Sequence, residues 1–213
     1  NLRSYNPSVK GHPKQIKKAV ELLLQAKRPV IYIGGGVILG DACDELRELA
    51  ETLGYPVTCT LMGLGAHPGT HKQNVGMLGM HGTFEANTAM HHSDLIFAVG
   101  ARFDDRVTNT VSKFCPNATI VHVDIDPATI SKIVEAHVPG VGDVKDVLTR
   151  VLGQVKSSEI KPDQEALDAW WSQINEWRER YGLQIAPRYK TDGEKLMPQE
   201  VVSMLYKVTE GEA

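Results

Sequence analysis

This 213-residue sequence has no Cys-x-x-Cys pair, no excess of basic residues, and no apolar run approaching the ~20 residues that span a bilayer. Each absence removes a class of function. The three cysteines, Cys43, Cys59 and Cys115, are scattered and odd in number. They indicate neither a disulfide framework nor a zinc site, and fit small buried thiols in a reducing compartment. A formal net charge of −3 offers no basic field for nucleic acid or an acidic membrane surface. No charged-then-apolar leader pattern opens the chain. His67 and His71 stand at His-x-x-x-His spacing, but Pro68 and Gly69 lie between them, so they do not share a helix face and a zincin-like site is not expected. A nucleophile elbow, a Ser–His–Asp signature and a GxxxxGK[ST] phosphate loop are also missing. The chain opens on Asn1 and closes on Ala213, and both ends are expected to lie inside a longer protein.

What is present alternates between strand and helix patterns. Ile16, Ala19, Val20, Leu23 and Leu24 keep helical spacing between Pro13 and Ala26. Val30–Ile33 reads as a buried strand closed by Gly34, Gly35 and Gly36. Asp41 is the expected cap of a helix carrying Leu46, Leu49, Ala50 and Leu53, with Gly54 at its end. Pro56–Thr60, Leu95–Val99 and Thr119–Val123 read as further strands, and Ala136–Asp143 as a last short one ending on an acid. Helices are expected from Thr83 to His92, Thr129 to Val134, and Val144 to Leu152, while residues 66–81 show no period. This order predicts an α/β fold, a parallel sheet flanked by helices on both faces. Residues 1–12 read as a linker, 13–153 as the domain, and 154–195 as a linker plus an amphipathic helix at 165–181. That helix bears Leu167, Trp170, Trp171, Ile174, Arg178 and Tyr181 as a packing face. Residues 182–195 have the composition of a domain boundary, and 196–213 are expected to be the start of a following, truncated domain.

Gly100-Ala-Arg-Phe-Asp-Asp-Arg106 carries the most chemistry. It follows an apolar strand, at the strand end where open α/β sheets bind ligands, and sets Arg102 and Arg106 around Asp104 and Asp105. The competing reading is a surface loop in which Arg102–Asp105 and Asp104–Arg106 pair with each other. The Gly34–Gly36 turn lacks the GxGxxG spacing, and the next strand ends without an acid, so the ordinary NAD fingerprint is not met. A turn that places backbone near a diphosphate, or a tight turn that binds nothing, both remain. Asp124 and Asp143 end later strands, where carboxylates suit ribose hydroxyls or an adenine amine, or else cap helices. Met77–Gly82 suits an apolar ring face, and His81 is a candidate general base without a visible partner.

In combination and order, Gly34–Gly36, Thr60-Leu-Met-Gly-Leu-Gly65, Gly79-Met-His-Gly82, Gly100–Arg106 and His122-Val-Asp-Ile-Asp-Pro127 resemble acetolactate synthase large subunits, in particular the bacterial isozyme III type. The resemblance spans nearly the whole chain and implies the Rossmann-like central domain of a three-domain thiamine-diphosphate enzyme. It implies FAD lying along Gly34, Gly35 and Gly36, touching Thr60, Leu61, Met62, Leu78, Gly79, Met80 and His81. Gly100, Ala101, Arg102, Asp104 and Arg106 are then expected at the ribityl–diphosphate region, and Asp124, Ile125, Asp143 and Val144 around the adenosine. Arg106 is further implied to hold the carboxylate of the second 2-oxoacid, with Asp105 orienting it, and Met80, Asp105 and Arg106 to line an inhibitor channel. The implied reaction joins two pyruvates, or pyruvate and 2-oxobutyrate, with thiamine diphosphate and Mg²⁺ held by other domains, in branched-chain amino acid biosynthesis. The resemblance also implies a cytoplasmic homo-oligomer with a small regulatory subunit, no catalytic residue or metal ligand in this stretch, and no turnover by the piece alone. The central domain of a pyruvate oxidase, glyoxylate carboligase or non-flavin decarboxylase, or a non-catalytic assembly module, remain alternatives.

Overall fold

A computed structural model of the chain describes residues 7–183 and 196–211. Helix α1 (Pro13–Gln25) buries Ile16, Ala19, Val20, Leu23 and Leu24, and Pro13 starts it where a missing N–H costs nothing. The chain then forms β1 (Pro29–Ile33), the five-residue α2 (Gly35–Leu39), α3 (Cys43–Leu53) and β2 (Val57–Cys59). Gly54 ends α3 in the left-handed region, at φ 74°. A 3-10 turn at Leu61–Gly63 leads to β3 (Asn74–Met77), α4 (Phe84–His92, with the Thr83 hydroxyl accepting the Ala86 N–H) and β4 (Leu95–Val99). After the short α5 (Asp105–Thr108) come β5 (Thr119–Asp124), β6 (Val138–Val141), α6 (Val144–Ser157), α7 (Gln164–Tyr181) and α8 (Pro198–Val208).

The strands form one sheet in the order β3-β2-β1-β4-β5-β6, every neighbour parallel. This is the α/β architecture the alternation predicts, in the doubly wound order whose direction reverses between β1 and β4. Every residue of β1 and β4 is buried, as strands covered on both faces require. Helices α1 and α3 each pack on α6, and α4 packs on α7. The indoles of α7 tie it to β1 and to the end of α3: Trp170 Nε1–H donates to Pro29 O at 3.1 Å, and Trp171 Nε1–H to Gly54 O at 2.8 Å. The packing role expected of that stripe holds for Leu167, Trp170 and Ile174, whereas Tyr181 is exposed.

Several expectations need correction. Strand β3 lies inside the stretch where no period is visible. Residues 129–134 form turns rather than a helix, because Ser131 sits at φ 59° and the Asp126 carboxylate instead accepts the Ala128 N–H. Asp41 does not cap α3: it has φ 49°, Ala42 is the N-cap residue, and the Asp41 carboxylate meets Lys145 Nζ at 2.9 Å. That pairing lowers the Asp41 pKa and raises that of Lys145. Helix α6 continues past Leu152 to Ser157, because Val155 still points into the core. The apolar residues of α8, among them Val202, Leu205 and Val208, are exposed. Most of the expected boundary at 182–195, and the first half of the expected linker at 1–12, lie outside the described residues.

Candidate cofactor-binding cleft

At the β1/β4 reversal two strand-end loops meet in backbone contact. A Cβ built on Gly34 would lie 2.1 Å from Gly100 O, and one on Gly36 would lie 2.6 Å from Gly100 Cα. Gly100 itself has φ 58°. The Gly34 N–H donates to Val99 O at 2.9 Å and the Gly36 N–H to Gly100 O at 3.0 Å. These glycines therefore have a packing cause before any ligand is considered. Gly63 repeats the device, since its Cβ would lie 2.7 Å from Ile33 O.

Around this junction opens a cleft of about 620 Å³ along the carboxyl ends of β2, β1, β4, β5 and β6. That volume is within the range of small-molecule sites. Its lining includes Gly34, Gly35, Gly36, Thr60, Leu61, Met62, Gly100, Ala101, Arg102, Asp104, Arg106, Asp124, Ile125, Asp143 and Val144. Residues from five separate stretches of sequence thus converge. The four strand spacings from β2 to β6 give it a length of about 19 Å.

Each stretch brings a different chemistry. The Thr60 hydroxyl accepts the Gly63 N–H at 3.0 Å and so holds the turn that exposes Leu61 and Met62. In the β4 loop Arg102 pairs with Asp104 at 2.5 Å, not with Asp105 as the pairing read from the sequence has it. Asp104 caps α5, its Oδ1 accepting the Arg106 N–H at 3.1 Å. That hydrogen bond foremost, then the Asp105 side chain and the Arg102 and Arg106 charges, hold the Asp104 carboxyl below its ordinary pKa. Arg106 is exposed and has no ion pair among the described residues, so Asp105 does not orient it through one. Asp124 Oδ1 accepts the Asp126 N–H, and Asp143 Oδ1 caps α6 by accepting from Lys145 and Asp146. Asp143 thus both caps a helix and lines the cleft.

Leu78, Gly79, Met80 and His81 do not line it. Leu78 faces a separate cavity of about 250 Å³ with Asn87 and Met90. Gly79 is clamped by Asn87, which accepts its N–H at 2.8 Å and donates to its carbonyl at 3.0 Å. The segment reaches the cleft only at its rim, where the Met80 N–H donates to Arg106 O at 3.0 Å. His81 is exposed, which gives it none of the surroundings of a general base. Tyr32, Leu39, Gly40, Val107 and Thr129 line the cleft and were not foreseen. Tyr32 alone left a signal, a polar group inside an apolar strand run. No cluster of three or more His, Cys, Asp or Glu able to hold a metal occurs among the described residues. No helix there is long and apolar enough to cross a membrane.

A doubly wound domain with a charged cleft at its topological reversal belongs to the broad class of α/β domains that bind ligands beyond their strand ends. More narrowly, this chain belongs to the thiamine pyrophosphate enzyme family, as its central domain: the family model matches residues 16–151. Over all 213 residues it is 51% identical to the acetolactate synthase large subunit of Buchnera aphidicola subsp. Schlechtendalia chinensis. It is 50% identical over the same length to the acetolactate synthase isozyme 3 large subunit of Escherichia coli K12. An acetolactate synthase of Mycobacterium bovis is 46% identical over 207 residues, 97% of this chain and 33% of the relative. The chain spans 36% of the length of the first two relatives.

Proposed function

We propose that this domain holds FAD stretched across the strand ends, as the central domain of an acetolactate synthase large subunit. One observation carries the flavin assignment: a cleft about 19 Å long, by strand spacing, has apolar Leu61 and Met62 at one end, Arg102 and the unpaired Arg106 in the middle, and Asp124 and Asp143 at the other. That sequence of surfaces matches an apolar ring system, a diphosphate and a ribose–adenine unit. Guanidinium groups give charge-assisted bonds to phosphate oxygens, and strand-end carboxylates accept from hydroxyls. The backbone contact between Gly34, Gly36 and Gly100 keeps the floor free of side chains where the ligand crosses the reversal point.

Two pyruvates give 2-acetolactate and CO2 with no net oxidation, so the flavin serves as a fixed structural element. Thiamine diphosphate, with Mg²⁺, supplies the decarboxylation and carbon–carbon bond chemistry when bound. This chain's contribution to the substrates is Arg106, whose free guanidinium can take a 2-oxoacid carboxylate. The names of the relatives support the large-subunit reading. Assembly with further copies and with a small regulatory subunit, in the cytoplasm, belongs to the same proposal. The domain division read from the sequence is part of it too.

Titration with FAD, followed by flavin fluorescence and by the melting temperature, tests the assignment. Saturable one-to-one binding is expected, weakened roughly tenfold or more by Arg106→Ala, as befits a lost charged hydrogen bond of about 1.5–3 kcal/mol. A full-length subunit that binds no FAD would overturn the reading.

A further inference from the structure

Among the described residues, two buried polar atoms without a partner lie on strands that feed the cleft: the hydroxyl of Tyr32 and Nδ1 of His122. Their positions are linked by register. Tyr32 on β1 is paired with Ala98 on β4, and Ala98 with His122 on β5. Cross-strand partners point to one face, so the three form a row with a single methyl between two rings. Strands β1 and β5 are two spacings apart, about 9.6 Å. The ring of Phe103 fills that gap, its centroid 5.3 Å from the Tyr32 ring and 5.0 Å from the His122 imidazole, edge-on to both. Phe103 is 1% exposed and held at φ 54°, a conformation that costs an L-residue about 1 kcal/mol or more unless its surroundings fix it. A second tie lies two residues earlier. His122 Nε2 is 2.7 Å from Ala101 O; a carbonyl only accepts, so Nε2 carries the proton and Nδ1 is left with a bare lone pair.

We propose that His122 and Phe103 are positioning residues of the cleft. The Tyr32–Phe103–His122 clamp, seated over Ala98, sets the conformation of Gly100–Arg106 and so presents the two guanidiniums to an anionic ligand. Burial alternates along the loop: Ala101 and Phe103 point inward, and Arg102 points out. The inward residues are fastened by an imidazole N–H and by three ring contacts, the third to Phe114 at 6.0 Å. Arg102 lies between the two anchors and is tied only to the exposed Asp104, and Arg106 follows on α5, so both take their direction from the backbone that the anchors hold. Only the identity of the ligand, not the clamp, rests on the flavin reading.

The test compares the wild type with His122→Leu, which removes the donor, and His122→Gln, whose amide N–H can reach the same carbonyl. Amide hydrogen exchange of residues 100–108 is read by mass spectrometry, alongside FAD affinity. In His122→Leu, exchange of that segment is expected to rise at least tenfold while β1 and β4 are unchanged, with FAD binding about tenfold weaker. His122→Gln should recover most of both. Unchanged exchange in the loop, an equal rise across the whole sheet, or failure of the glutamine to rescue would overturn the proposal. If the wild type binds no FAD, the flavin reading fails and the exchange result still decides the clamp. Should His122→Leu not fold, Phe103→Leu carries the same exchange measurement.

Discussion

The two loops that meet between β1 and β4 are built in opposite ways. After β1, three glycines in a row give up side chains altogether, and two of their N–H groups are committed to the β4 end. After β4, the side chains do the work: alternate residues are buried as anchors or exposed as charge. The first loop is a contact surface, and the second delivers functional groups from it. A glycine run behind a strand is therefore not by itself a phosphate cradle. Here the run exists so that a charged neighbour can approach closely.

Gly34→Ala should break this arrangement most severely. Its Cβ would fall 2.1 Å from a backbone oxygen that has no rotamer to change. A loss of about 3 kcal/mol is expected from such overpacking, read as a lower urea midpoint, together with loss of cofactor binding. Gly153→Ala is the contrast, since its Cβ would meet nothing within 4 Å on α6, and a gain of about 0.5–1 kcal/mol is expected. Equal effects of the two changes would refute the packing role given to Gly34.

Acid should act on the other side of the pair. Burial holds the His122 imidazole below its ordinary pKa, opposed by its bond to Ala101 and by the charge of Asp124. The unfolded chain binds a proton below about pH 6.5 that the folded chain refuses. Stability is then fully present above that pH and falls as pH drops through it, by at most about 1.4 kcal/mol per unit for one such group. His67 and His92 are lowered by burial too and add with the same sign. His122→Gln should remove only the loop's share. Urea unfolding between pH 5 and 7.5 measures this, and identical slopes for the two proteins would count against a neutral His122.

Arg102→Ala gives the smallest effect on folding. Its pair with Asp104 is exposed, and such pairs contribute less than about 1 kcal/mol. A stability change under about 0.5 kcal/mol with a clear drop in flavin affinity would sharpen the distinction between delivered charge and structural contact. A large loss of stability would blur it.

Much of this was legible because periodicity and burial agree. The continuous apolar runs of β1 and β4, and the helical spacing of α1 and α3, leave few alternatives. Strand β3 was hidden because it is a half-buried edge strand with Gly76 at φ 91° and a register shift against β2. The end of α6 lies beyond the expected Leu152, in a stretch opened by Gly153 and otherwise mostly polar. On an open face that glycine costs only about 1 kcal/mol, and the buried Val155 carries the helix on. At the cleft, the topology itself brings the residues at the strand ends together, as open α/β sheets do. The segment 78–81 was placed through the resemblance; Leu78 and Gly79 pack beside Asn87, outside the lining of the cleft.

All three tryptophans of the sequence, Trp170, Trp171 and Trp177, stand on α7. Two of them hand their indole N–H to backbone carbonyls of β1 and the α3 terminus. The intrinsic ultraviolet emission of this chain is therefore an optical report from a single helix. A red shift would signal that α7 has left the sheet, even with the strand ends intact. A ligand that settles in the cleft without disturbing that helix would leave the colour of the emission where it was.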